Sequence, residues 1–405
     1  MKILVICQYY EPEPFRVTRV CEALADRGHE VHVVTGYPNY PEGVLYPGYG
    51  RGKRIDESVN GVHIHRCFTI PRRTGAIYRF LNYYSYALSA KRYVRSKACA
   101  AADGGDFDVV FCNQLSPVMM AEAAIVYHKR KHVPAVLYCL DLWPESLVAG
   151  GVSRNSAIYK VFRVVSERIY RSVDQIFVAS RMFESFLEDA FQISSERIRY
   201  LPQFAETVFD TIPQKAPGMM CELMFAGNLG ELQSVDTILR AASLLQNEAV
   251  RFHIVGGGSD LERLKREQVR LGLHNVIFYG RRPLEEMPSF YAQADAMLVT
   301  LKADPVLSLT LPGKVQSYLA AGKPVIGAID GETADVIRRA ACGWCGPAED
   351  AEALAKNIRR FLTCTEKTKL AANARAYYDT HFTEQRFLDD LEIALQQWGA
   401  ERNEW

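Results

Sequence analysis

The sequence predicts an α/β protein of two Rossmann-like, doubly wound domains. Three observations predict it. Short β-branched apolar runs alternate with helical stretches over residues 2–179, the rhythm breaks in a proline-marked segment at 201–219, and it then resumes. The chain has 405 residues, enough for two domains of ordinary size. In such sheets ligands bind beyond the C-terminal ends of the strands, so the loops there should carry the chemistry.

Each element has a local reason. Residues 2–7 are a short apolar strand. Residues 16–27 have helical spacing through Val17, Val20, Cys21 and Leu24, and Gly28 stands where a C-cap glycine belongs. Strands follow at 30–35 and 62–67, a long helix at 78–101, and strands at 107–112, 135–140 and 175–179. Pro202, Pro213 and Pro217 mark a linker. Beyond it, strands at 222–226, 251–255, 276–279, 296–300 and 324–328 alternate with helices after Ser234 and over 260–271 and 314–321. Residues 351–361, 366–378 and 385–398 are helical. The expected boundaries are an N-terminal domain at 1–203, a linker at 204–219, a C-terminal domain at 220–382, and a last helix at 383–405 packing back on the first domain. No repeat or low-complexity segment interrupts this order.

Composition narrows the class. With 48% hydrophobic and 23% charged residues the chain reads as soluble and globular. A net charge of +1 gives no general attraction for nucleic acid. The apolar N-terminal run is too short for a signal peptide, and no window approaches the roughly 18–20 apolar residues of a spanning helix. Most of the ten cysteines have isolated apolar settings, as Cys139 does, which fits a reducing, cytoplasmic location. Cys342-Gly343-Trp344-Cys345 has no second pair to complete a zinc site and reads as a buried turn. The first βα turn, 7–15, contains no glycine, which argues against a dinucleotide-dependent dehydrogenase.

Phosphate-binding features gather in the second half. Phe225-Ala226-Gly227-Asn228-Leu229-Gly230 and Val255-Gly256-Gly257-Gly258-Ser259-Asp260 each follow a strand and precede a helix. Glycines there let backbone N–H groups approach an anion, although any tight βα turn also favours glycine. Leu311-Pro312-Gly313-Lys314 opens a helix that ends at Gly322-Lys323-Pro324. Lys314 in its first turn opposes the helix dipole unless an anion lies there, and the alternative is a solvent-facing lysine.

In that order the motifs resemble the retaining family 4 glycosyltransferases of the GT-B fold, in which two Rossmann-like domains face each other across a cleft. Phe278-Tyr279-Gly280-Arg281, Tyr291-Ala292-Gln293-Ala294-Asp295 and, in the first half, Gly28-His29-Glu30-Val31-His32-Val33-Val34-Thr35 fit the same series. Tyr37-Pro38-Asn39-Tyr40-Pro41-Glu42-Gly43 and Asp141-Leu142-Trp143-Pro144-Glu145-Ser146 resemble the subgroup that builds bacterial surface polysaccharides, fucosamine transferases of O-antigen and capsule assembly among them. The resemblance implies a first domain for the acceptor and a second for the nucleotide-sugar donor. It also places Asn228 and Gln233 where the family carries Arg and Lys, and Leu309 and Ser317 where it carries paired glutamates.

The resemblance implies a UDP-sugar held by Gly227, Asn228, Gln233, Gly258, Arg281, Pro312, Gly313, Lys314 and Ser317, with Lys314 the main cation. Backbone amides at Gly227 and Gly258 are expected on the leaving phosphate. Asp141, Lys314 and Glu332 are the expected catalytic groups; Asp141 and Glu332 would equally serve as helix N-terminal acids. Arg16, Asn113, Asp141 and Glu145 form the acceptor side. No metal or other cofactor is expected. Residues 72–97 hold seven basic residues and no acid, interleaved with aromatic and leucine side chains. That pattern suits an anionic membrane surface met by Arg79, Lys91, Arg92 and Arg95, or an ordinary helix with a solvated basic face. The expected acceptor is accordingly a saccharide on polyprenyl diphosphate at the inner face of the cytoplasmic membrane. A sugar-nucleotide 2-epimerase and an inactive nucleotide-sugar-binding protein are the alternatives.

Overall fold

The structure, a computed structural model, describes residues 1–50, 52–73, 75–213 and 218–401. Pro217 of the expected linker and residues 402–405 of the expected last helix lie outside them. The chain forms two compact units. One is Met1–Ala179 with Phe183–Leu201 and the segment that starts at Leu388; the other is Ser180–Met182 with Pro202–Phe387.

The first unit is built on β1 (Lys2–Ile6), β2 (Glu30–Gly36), β3 (Asp56–Val59), β4 (Val62–Cys67), β5 (Val109–Gln114), β6 (Ala135–Cys139), β7 (Gln175–Val178) and β8 (Ile198–Tyr200). Their order is β3-β4-β2-β1-β5-β6-β7-β8. Of these strands, β3 and β4 alone pair antiparallel. Residues of β5, β6 and β7 are buried on both faces, which is why these strands read as unbroken apolar runs. The chain reverses direction between β1 and β5, making that point a natural ligand crevice. The edge strand β3, Asp-Glu-Ser-Val, alternates exposed and half-buried residues and so gave no apolar signal. The long helix is Ala76–Val94, shorter than the expected 78–101. The helix is capped by Arg95, and the turns after it carry Cys99 and Ala101 into the core. The helix Glu384–Glu401 belongs largely to this unit: Trp398 Nε1 donates to Gln175 Oε1 at 2.9 Å, and Glu392 accepts from Arg27 at 2.7 Å.

The second unit holds β9 (Cys221–Ala226), β10 (Val250–Val255), β11 (Val276–Gly280), β12 (Ala296–Thr300), β13 (Val325–Ala328) and β14 (Gly343–Gly346). Their order, β11-β10-β9-β12-β13-β14, is parallel throughout, and reverses between β9 and β12. Successive residues serve opposite faces: Met224 packs with Val299 and Tyr318, while Phe225 packs with Phe252 and Leu298. The Cys-x-x-Cys is not a turn, because Gly343 to Gly346 form the edge strand β14. Gly343 allows this pairing, since a Cβ there would lie 1.8 Å from Val325 O. Burial pushes both thiols up to about 12, so neither is a reactive thiolate.

Candidate active site

The βα loops of the second sheet interlock at its C-terminal edge. Gly227 N–H donates to Val255 O, Leu229 N–H to Gly257 O, and Gly256 N–H to Gly280 O, each at 2.9 Å. The contact is so close that only glycine fits. A Cβ on Gly256 would stand 1.8 Å from Gly227 O, and one on Gly258 would stand 2.5 Å from Leu229 O. The expectation that the Gly227 amide faces a phosphate is corrected here, because that N–H is spent on Val255. Gly227 instead makes room: a Cβ there would lie 3.0 Å from Lys314 Nζ.

Lys314 stands in the first turn of the helix Gly313–Ala320, which Pro312 precedes at φ −61°. Tyr318 pins this helix to β9, donating to Ala226 O at 2.9 Å and accepting from Ala226 N–H at 3.0 Å. The Lys314 ammonium lies 4.0 Å from the centre of the Phe225 ring and donates to Gln233 Oε1. Gln233 is held in turn by Thr300 Oγ1, which donates to its carbonyl at 2.6 Å, so the loops after β9 and β12 are tied across the switch point. No carboxylate among the described residues pairs with Lys314, and burial lowers its pKa to about 7. A desolvated amine held by one neutral acceptor and a ring face is arranged for an anion. Around it are exposed Asn228, whose Oδ1 lies 2.8 Å from where a Gly258 Cβ would stand, and exposed Arg281, whose Cβ is 3.4 Å from the corresponding point on Gly257.

One turn along the same helix, buried Ser317 donates to Glu206 Oε2 and to Gly313 O, both at 3.4 Å. The sequence places no acid at position 317, yet the structure brings Glu206 to it. Pairing of residues 111 positions apart leaves no local signal, so sequence reasoning missed Glu206.

The remaining expected groups separate. Glu332 is buried at the start of the helix Glu332–Arg339, with Oε1 on Arg339 Nη2 at 3.0 Å and Oε2 accepting from Met182 N–H at 3.2 Å. Both oxygens are engaged within the second unit. Glu145 is buried between Arg154, at 2.6 Å, and the Tyr159 hydroxyl, at 2.5 Å. Asp141 lies beyond β6, accepting from Ser146 Oγ and from Trp143 Nε1 at 3.3 Å. These are side-chain donors, so it is not an N-cap on helix amides. Burial raises its pKa against the pull of Ser146, Trp143 and Ser116. Asn113 is buried on β5, and Arg16 is half-buried just before the helix Val17–Asp26. Arg79, Arg92 and Arg95 are exposed, but Lys91 is half-buried 3.6 Å from Glu122 and is withdrawn from the membrane-facing set.

At the switch point of the first sheet stands a group the sequence reading passed over. Glu13, in the loop after β1, is 3% exposed, and its Oε1 accepts from the backbone N–H of Asn39 at 2.8 Å and of Tyr40 at 2.6 Å. Burial raises its pKa to about 7. Nearby on β1, β5 and their loops, Gln8 Oε1, Tyr9 Oη and Gln114 Oε1 are buried with no hydrogen-bond partner. Buried polar atoms left open in this way are uncommon away from functional sites.

Comparison with known proteins gives the family and the fold. Residues 15–203 match the family described as glycosyl transferase 4-like domain, and residues 221–364 match glycosyl transferases group 1. The Pseudomonas aeruginosa protein named for glycosyl transfer, WbjE, is 29% identical over 236 residues, 55% of this chain and 58% of that protein, so this match spans less than two thirds of the relative. The Escherichia coli (strain K12) protein named for colanic acid biosynthesis glycosyl transfer, WcaI, is 24% identical over 417 residues, 96% of this chain and all of its own. Among solved structures, the sucrose-phosphate synthase of Thermosynechococcus elongatus superposes with a TM-score of 0.74 at 17% identity, covering 99% of this chain and 100% of that one. Anabaena HepE in complex with UDP-glucose gives 0.69 at 15% identity, over 98% and 100%. Those likenesses carry the fold, and the two family matches carry the kinship: this chain belongs to the family 4-like glycosyltransferases, enzymes of the GT-B fold.

Proposed function

We propose that the chain transfers a sugar, with retention, from a uridine diphosphate sugar to a saccharide carried on polyprenyl diphosphate, in bacterial surface-polysaccharide assembly. One observation carries the donor side: the Lys314 amine, with no described carboxylate to pair with it, beside interlocked glycine loops in the first turn of the helix Gly313–Ala320. A diphosphate there meets a cation and a helix N-terminus together. As the bond to the sugar breaks, negative charge grows on the leaving oxygen, and a preorganised Lys314 stabilises it with no metal required. Arg281 adds a second cation at the rim. Ser317 and Glu206, one turn on, offer a hydroxyl and a carboxylate to ribose hydroxyls. Asp141, with Arg16 and Asn113 of the first unit, is the acceptor-side set. The relative named for glycosyl transfer in colanic acid biosynthesis supports surface-polysaccharide assembly, and the UDP-glucose complex of HepE supports a UDP-sugar donor.

The test is transfer of labelled sugar from a panel of UDP- and GDP-sugars to a membrane extract, with Lys314→Ala as control. Lipid-soluble label from a UDP-sugar, lost in Lys314→Ala, is the expected result. Label released only as a free epimer, or donor binding without turnover, would reject the transfer reading.

A further inference from the structure

We propose that the helices Ala76–Val94 and Ala157–Arg171 together form one docking surface of the first unit for an anionic lipid bilayer, with the apolar stripe of Ala157–Arg171 as its centre. This rests on the lipid-linked acceptor proposed above; the sequence indicated residues 72–97 alone, and the structure adds the apolar stripe of Ala157–Arg171.

The two helices lie on the same side of the sheet. The crossovers from β4 to β5 and from β6 to β7 advance in the same direction along the strand order, and right-handed crossovers then place both helices on one face. Glu122 joins them, ion-paired with Lys91 of one at 3.6 Å and accepting from Arg168 of the other.

What they turn to solvent is unusual. Ala157–Arg171 buries Tyr159, Ser166, Ile169 and Tyr170 against the unit. Its outer face shows Ile158, Val161 and Val164 at every third position, 58–67% exposed. On the companion helix Ile77, Leu81 and Leu88 follow helical spacing and are exposed as well, Ile77 to 75%. Helices of a soluble unit ordinarily carry polar groups on that side. Among the described residues, eight of the seventeen exposed large apolar side chains lie on these two helices, which concentrates them in one place.

Charge selects the partner. Exposed Lys160, Arg163, Arg79 and Arg92 border the apolar stripes, and no described carboxylate pairs with them. Two acids beside these helices are already taken, Glu122 by Lys91 and Arg168, and Glu167 by Arg171 at 3.0 Å. An apolar centre with a basic rim matches a leaflet of anionic headgroups over acyl chains. A nucleic acid would engage the cations but leave Ile158, Val161 and Val164 in water. No helix among the described residues is long and apolar enough to cross a membrane, so these helices would lie in the interface.

Flotation of the full chain with phosphatidylglycerol-containing vesicles, and with pure phosphatidylcholine vesicles, tests this. Wild type should float with the first and weakly with the second. Val161→Glu with Val164→Glu, both at exposed positions, should cut the floated fraction about tenfold or more. Lys160→Ser with Arg163→Ser should weaken binding chiefly at low salt. UDP affinity of both variants should stay at the wild-type value, since the donor loops belong to the second unit. Failure of wild type to float, or unchanged flotation of the double glutamate variant, would overturn the proposal. So would a wild-type dimer that the glutamates dissolve, or single-stranded DNA competing the protein off vesicles. Failure of UDP binding with flotation intact would reject the donor reading and leave this surface standing.

Discussion

Lys314 is the residue on which the donor side turns. Its replacement by Ala should weaken UDP binding by roughly 1–3 kcal/mol, the usual scale for a charge-assisted contact, and Lys314→Arg should restore only part because a planar fork does not occupy a point-charge site. Its depressed pKa has a thermodynamic signature. With the free amine at about 7, most of it is neutral at pH 8, and a bound diphosphate raises the pKa again. UDP binding at that pH should therefore take up protons, read by calorimetry in buffers of different ionisation enthalpy; no uptake, or equal uptake in Lys314→Ala, would show that another group meets the phosphate. Glu13 behaves in the opposite sense. Its folded pKa, about 7, lies above the ordinary glutamate value of 4.5, so the folded state retains a proton the unfolded state has lost between those values. Stability from Glu13 is then full below pH 4.5 and falls as pH rises to 7. Glu13→Gln should remove that slope and raise stability at pH 8, by up to about 3 kcal/mol from the size of the shift. Unchanged pH dependence of denaturant unfolding would contradict the burial seen at Glu13.

At the scale of elements, the donor site depends on loops that could not pack with any other residue. Gly256→Ala would drive a methyl into Gly227 O, where 1.8 Å separates them. The loops after β9 and β10 must then part, and UDP binding should be lost even where circular dichroism shows a folded chain; retained binding would mean that the loop contact is dispensable. Tyr318→Phe should leave the Ala226 peptide without its two partners and destabilise the second unit by roughly 1–3 kcal/mol, measured as a shift in the urea midpoint. These elements also show what was readable. Helix Gly313–Ala320 could be read from its punctuation, Pro312 before it and Gly322 after it, and the parallel strands from β-branched runs. Strand β3 and strand β14 could not. Asp56 to Val59 and Gly343 to Gly346 are edge strands held by pairing with one neighbour, so they need no apolar run of their own.

Across the whole molecule, glycine loops and the Lys314 helix were legible because each is local: a few adjacent residues state their own chemistry. The acids were not. Glu332 and Glu145 look free in sequence, but the structure spends them on Arg339 and on Arg154 with Tyr159, while Glu206 and Glu13 acquire their settings from residues far along the chain. Long-range partners of a carboxylate leave no mark in its neighbours, so acid roles require coordinates. The apolar stripe of Ala157–Arg171 was equally hidden, since a helical stripe reads as core until its exposure is known. The central claim, that the nucleotide is held by the second unit through the loops around Lys314, is tested most directly by hydrogen exchange on the full chain with and without UDP. Slowed exchange is predicted in peptides holding Gly227 to Gln233, Gly256 to Asp260 and the first turn of Gly313–Ala320, with first-unit loops unaffected. Protection confined to peptides before Leu201, with none in these three segments, would contradict it.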